Sequence, residues 1–113
     1  PAARENLRIL TDFESVMYPV SGYWAGQRAF KAKDLSCGGI AFWSTILLED
    51  REIVEMVLPV TDSPLLIKTQ VLRTLPDETS RLPLYAAKFV DLIHDEEALI
   101  RKAVFSIQIR TAN

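Results

Sequence analysis

Apolar residues recur at every second position along most of the chain and change to helical spacing only near its end. Gly39 to Ser44 sets Ile40 and Phe42 on one face and Ala41 and Trp43 on the other, the alternation of a strand. Glu52 to Val60 repeats it, with Val54, Met56, Leu58 and Val60 opposed to Ile53, Glu55, Val57 and Pro59. Leu65 to Leu75 puts Leu65, Ile67, Thr69, Val71 and Arg73 on one side, and Leu66, Lys68, Gln70, Leu72 and Thr74 on the other. Thr11 to Val20, Gln27 to Lys33 and Leu84 to Leu92 read as further strands. Ser21-Gly22, Asp34 to Gly39, Thr61-Asp62-Ser63-Pro64 and the polar stretch Pro76 to Pro83 supply the turns and loops between them.

From His94 the period changes. Asp95, Glu96 and Glu97 put negative charge where a helix N-terminus favours it, and Ile100, Ala103, Val104 and Ile107 form one helical stripe. The spacing predicts a helix over 94–110. Short strands followed by one helix predict a mainly β fold, a small antiparallel barrel with a helical lid. An immunoglobulin-like sandwich would need a Cys and Trp framework that this chain lacks.

Composition narrows the function classes. A length of 113 residues, 49% of them hydrophobic, suits one domain with a real core. The 13 basic and 15 acidic side chains give no global footprint for nucleic acid. The single cysteine, Cys37, excludes an intrachain disulfide and nearly excludes a Cys-based zinc site. No apolar run approaches the roughly 20 residues that span a bilayer. The sequence opens Pro1-Ala2-Ala3-Arg4, with neither a signal-peptide core nor an initiator Met, and is expected to be either a trimmed chain or a domain cut from a longer one.

Two clusters carry chemistry, and both suit holding an anion. Arg4-Glu5-Asn6-Leu7-Arg8 spaces two guanidiniums as RxxxR. Arginine binds phosphate as a fork and also reads the O6/N7 edge of guanine; the same spacing also occurs on a solvated basic arm. Asp34-Leu35-Ser36-Cys37-Gly38-Gly39 contains DxSxxG. There Gly38 and Gly39 allow positive φ and close backbone approach, so that successive N–H groups can cradle an anion. Ser36 brings a hydroxyl, and Asp34 an acceptor for paired N–H donors such as guanine N1 and N2. A plain Ser or Asx turn between two strands is the other reading.

Together, RxxxR and DxSxxG on a β-rich domain with a terminal helix resemble the PilZ domain family. The stretch from Asp34 to Phe42 is similar to that family's second-to-third strand connection. Lys88-Phe89-Val90-Asp91-Leu92, before the acidic helix start, is similar to its last strand. The resemblance implies a six-stranded antiparallel barrel of split-barrel type with a C-terminal α-helix. It also implies a bacterial receptor for the second messenger cyclic di-GMP that regulates and does not catalyse. Arg4 and Arg8 would clamp the phosphates and the Hoogsteen edge of guanine. Asp34, Ser36 and Gly39, with Gly38 beside them, would hold guanine from the barrel side. The chain departs from the family at Ala3, where many members have another Arg, and at Ala86, where the last strand often has Gly.

The expected organisation is a ligand-binding arm over residues 1–10 and a barrel with its helix over 11–113. Expected partners are cyclic di-GMP and an attached domain or protein, in the cytoplasm, with no cofactor and no metal. The alternative is a PilZ-like interaction module that binds no nucleotide. His94 reads as a helix-start residue, Cys37 as a small spacer, and Trp24 and Trp43 as packing residues or base platforms. No catalytic constellation is visible.

Overall fold

A computed structural model describes residues 7–112, with side chains through Ile107. The elements are β1 (Ile9–Leu10), β2 (Glu14–Pro19), β3 (Arg28–Leu35), β4 (Gly39–Ser44), β5 (Ile53–Leu58), β6 (Leu65–Leu75), β7 (Leu84–Phe89) and α1 (His94–Ala112). All pairings are antiparallel. The order β3-β2-β5-β6-β7-β4 closes through the β3–β4 pairing into a six-stranded barrel, and β1 is an extra strand on β3. Closure satisfies both edges of each barrel strand and leaves an interior just wide enough to be filled by side chains.

That interior takes one face of each strand. Met17, Phe30, Ile40, Phe42, Val54, Met56, Leu58, Ile67, Val71 and Phe89 are all buried in a single core cluster. Phe13, Phe30, Phe42 and Tyr85 run through it in successive ring contacts, 6.3, 5.7 and 5.9 Å between centroids. The Tyr85 hydroxyl accepts the Leu48 N–H at 2.8 Å, so the ring brings no unpaired polar group into the core.

Helix α1 buries the stripe read from the sequence: Ile100, Ala103 and Val104 are buried, and Ile107 packs at the edge of the cluster. Its start is fixed locally. Glu97 N–H donates to the Ile93 carbonyl, and the Glu96 carboxylate accepts the Ile93 N–H at 3.1 Å, the return half of a capping box. Asp91, with φ 56°, turns the chain out of the sheet, which ends β7 at Phe89 and not at Leu92.

Two other boundaries moved. The strand expected from Thr11 to Val20 is divided. Ile9 and Leu10 pair with Leu35 and Asp34, Thr11 N–H donates to Lys33 O and Phe13 O accepts from Ala32 N–H, and Glu14 to Met17 pair with Lys31 to Arg28. The chain therefore tracks β3 from residue 9 onward. Asp34 and Leu35, expected in a connection, are ladder residues of β3 between β1 and β4.

If α1 seals the barrel through this stripe, Ile100→Ala should lower unfolding free energy by ~2–5 kcal/mol. Leu99→Ala, at a position 39% exposed, should change it by no more than about 0.5 kcal/mol. Urea denaturation followed by far-ultraviolet circular dichroism measures both.

Candidate functional site

The two motifs meet at the end of β3. Arg8 precedes β1, whose pairing opposite Leu35 and Asp34 carries it alongside the DxSxxG segment. Its Nη1 donates to Asp34 Oδ1 at 2.6 Å, with the Arg8 side chain 49% exposed and that of Asp34 19%. Arg4 lies outside the described residues.

The turn from Ser36 to Gly39 is held by its own hydrogen bonds. Ser36 N–H donates to Gly39 O at 2.9 Å, and Gly39 N–H donates to Ser36 Oγ at 3.1 Å. Ser36 is buried, and its hydroxyl lies 3.3 Å from Gly39 O. Phe89 N–H donates to Gly38 O at 2.9 Å, tying the turn to β7.

Here the structure corrects the reading of the glycines. Gly26, with φ 76°, is the described glycine in the left-handed region, and neither Gly38 nor Gly39 is there. A Cβ on Gly39 would stand 2.3 Å from Ala87 O, whereas one on Gly38 would meet nothing within 4 Å. Gly39 is needed for the close approach of β4 to β7. Its N–H is taken by Ser36, so the expected concavity of successive N–H groups is not open at that position.

A bulge shapes the surface beside the turn. Ala32 pairs with Phe42 and Asp34 pairs with Ala41, so Lys33 and Asp34 together oppose one residue of β4. An extra residue of this kind re-aims side chains, and it presents both Lys33 and Asp34 to the outer face. Ala41 pairs in turn with Ala86 on β7. Both alanines alternate with core residues yet lie outside the core cluster, recessed at 2% and 5% exposure. They form a recessed floor of two methyl groups next to Asp34. Two register positions along, Gly39 faces Lys88, which is exposed. Sequence patterning had singled out neither Lys33 nor Lys88, because an exposed lysine on a strand carries no signal until its neighbours are known.

Both tryptophans are held by hydrogen bonds, and Trp43 shares the face of β4 that carries Ala41. Trp24 Nε1 donates to Glu52 Oε2 at 2.7 Å, and its ring packs against the core. Trp43 Nε1 donates to Asp77 Oδ2 at 2.6 Å. Hydrogen bonds from the Thr79 side chain, then from Trp43, hold the Asp77 carboxyl below the usual carboxylate range. Trp43 borders a cleft of about 500 Å³ that also includes Glu14, Lys31 and Thr45. Cys37 is a free thiol, half-buried against the core, and His94 opens α1. Among the described residues no cluster of His, Cys, Asp and Glu is arranged to hold a metal ion, and no helix is long and apolar enough to cross a membrane.

A family model for the PilZ domain matches residues 4–106. Among solved structures, the chain is similar to YcgR of Escherichia coli in complex with c-di-GMP, with TM-score 0.73 and 16% identity over 94% of this chain and 46% of that one. It is also similar to the PilZ domain of CeSA from a cellulose-synthesizing bacterium, with TM-score 0.68 and 15% identity over 91% and 99% of the two chains. The MrkH–c-di-GMP complex of K. pneumonia gives TM-score 0.72 and 15% identity over 94% and 52%. At these identities the likeness is one of fold. The chain spans about half the length of the YcgR and MrkH chains. No curated protein is matched by the sequence.

The steric account of the turn makes the two glycines unequal. Gly39→Ala should destabilise the protein by about 1–3 kcal/mol through overpacking against the β7 backbone, while Gly38→Ala should be near neutral. Thermal melts of the two variants compare them, and equal melting temperatures would contradict the account.

Proposed function

This chain belongs to the PilZ domain family, and on that premise we propose that it is a cyclic di-GMP receptor whose site is built on Arg8 and Asp34. The ion pair that joins the two motifs carries this reading. An exposed pair of this kind is worth no more than about 1 kcal/mol. That contact uses one nitrogen and one oxygen, whereas a phosphate can take the guanidinium as a two-bond fork, so a dianionic ligand competes well for Arg8.

Asp34 is suited to the partner role. Arg8 engages Oδ1 alone, and a carboxylate offers about four lone-pair sites. The remaining oxygen can accept from guanine N1–H and N2–H while Arg8 stays close enough to meet a phosphate. Lys33 and Lys88 add positive charge beside the alanine floor, which gives a flat ligand a surface to lie on. Arg4 is assigned to the second phosphate contact. Gly39 keeps the turn close against β7, Gly38 leaves open space beside it for the ligand, and Ser36 holds that turn.

Residues 1–10 are the ligand-binding arm and 11–113 the barrel that it closes upon. With Ile9 and Leu10 paired to β3, closure over a ligand pivots just before a fixed strand, and the chain preceding Arg8 transmits the change to an attached domain or a partner. The protein is a receptor and not a catalyst, and it acts in the bacterial cytoplasm.

Isothermal titration of cyclic di-GMP, with GTP as control, should give saturable binding for the parent protein. Arg8→Ala should weaken it by ~2–5 kcal/mol, at least ~30-fold, and Asp34→Ala should act in the same direction. Unchanged affinity in Arg8→Ala would overturn the site. Silence from a parent protein shown to be folded would favour the interaction-module reading.

A further inference from the structure

The receptor reading uses one wall of the alanine floor, the wall on β3. The other wall stands on β6. Strict alternation would send Arg73 to the side of Val71, which is a core residue. The structure interrupts that alternation with a second bulge: Val71 pairs with Ala87 and Arg73 pairs with Ala86. Leu72 and Arg73 therefore oppose Ala86 together, and both are exposed.

The construction repeats the one on β3. Lys33 and Asp34 oppose Ala41, Ala41 pairs with Ala86, and Ala86 is opposed by Leu72 and Arg73. The row runs across four neighbouring strands, three interstrand steps or roughly 14 Å of backbone. Each end carries two outward side chains where a regular strand would carry one, and between them are only two methyl groups. Bulges concentrate beside functional sites because they redirect side chains in this way. The Arg73 guanidinium has no hydrogen bond or ion pair among the described residues, so no such contact among them accounts for its placement.

We infer that Leu72 and Arg73 form the second wall of the nucleotide site, an assignment that rests on the receptor reading above. Arg73 forks onto the phosphate that faces β6, opposite the one met by Arg8. Leu72 covers the apolar face of the adjoining guanine. A ligand with two phosphates and two bases then meets an arginine from each side of the floor, which a mononucleotide cannot span.

Isothermal titration with cyclic di-GMP separates the possibilities. Arg73→Ala should bind about ten- to a hundredfold more weakly, the range of a charge-assisted hydrogen bond. Arg73→Lys, which keeps the charge and loses the fork, should fall between Arg73→Ala and the parent. Leu72→Ser should also weaken binding, and Arg81→Ala, changing another exposed arginine on the loop between β6 and β7, should not. The melting temperature of Arg73→Ala should stay close to the parent's, because the side chain is exposed and has no hydrogen bond or ion pair among the described residues. Parent-like affinity in Arg73→Ala, with Arg8→Ala impaired, would overturn this wall and leave the receptor reading standing. Absence of binding to the parent would overturn both.

Discussion

The close approach of β4 to β7 at Gly39 is the constraint on which the rest of the molecule depends. The Gly39 backbone lies so near the Ala87 carbonyl that no side chain fits, and the turn delivering it is pinned by reciprocal hydrogen bonds with Ser36. That contact joins β4 to β7, and β4 in turn pairs with β3 to close the barrel. It also sets the register that brings Asp34 to Ala41 and Ala41 to Ala86. The proposed ligand site on the outer wall thus follows from the strand register that closure sets. The residues of DxSxxG divide between the two tasks: Ser36 and Gly39 hold the geometry, and Asp34 displays the chemistry.

Electrostatics follows the same local logic. The protein carries a net charge of −2, which suggests no affinity for anions. Strand pairing nevertheless gathers Lys33, Lys88 and Arg73 around two alanines, with Arg8 beside Asp34. Fields at a site are made by the charges within about a Debye length and not by the total. A small basic patch on a protein of net charge −2 suits a compact anion better than a polymer, because a polymer extends past the patch.

How much of this could be read from the sequence depends on the length scale of the signal. The core faces of β4 and β5 followed from period-two alternation, and α1 from its stripe, because both are local patterns that burial enforces. Asp34 and Arg8 were found by motif, and their meeting through β1 was not, since a strand of only two residues has no period to detect. Arg73 was assigned to the face of Val71 because alternation cannot register an inserted residue, and a bulge is visible only once both partners are placed. The glycines were found for an incomplete reason. Sequence reveals that a side chain is missing and not whether a dihedral angle or a neighbouring carbonyl requires it.

The central claim is that the ligand lies across the Ala41–Ala86 floor between the two bulges. Amide chemical-shift mapping by nuclear magnetic resonance during a cyclic di-GMP titration tests it most directly. The account predicts that the largest shifts occur at Arg8, Lys33, Asp34, Ala41, Ala86, Leu72 and Arg73, with the Trp43–Asp77 cleft and α1 little changed. Shifts centred on that cleft or on α1, with the alanine row silent, would contradict it.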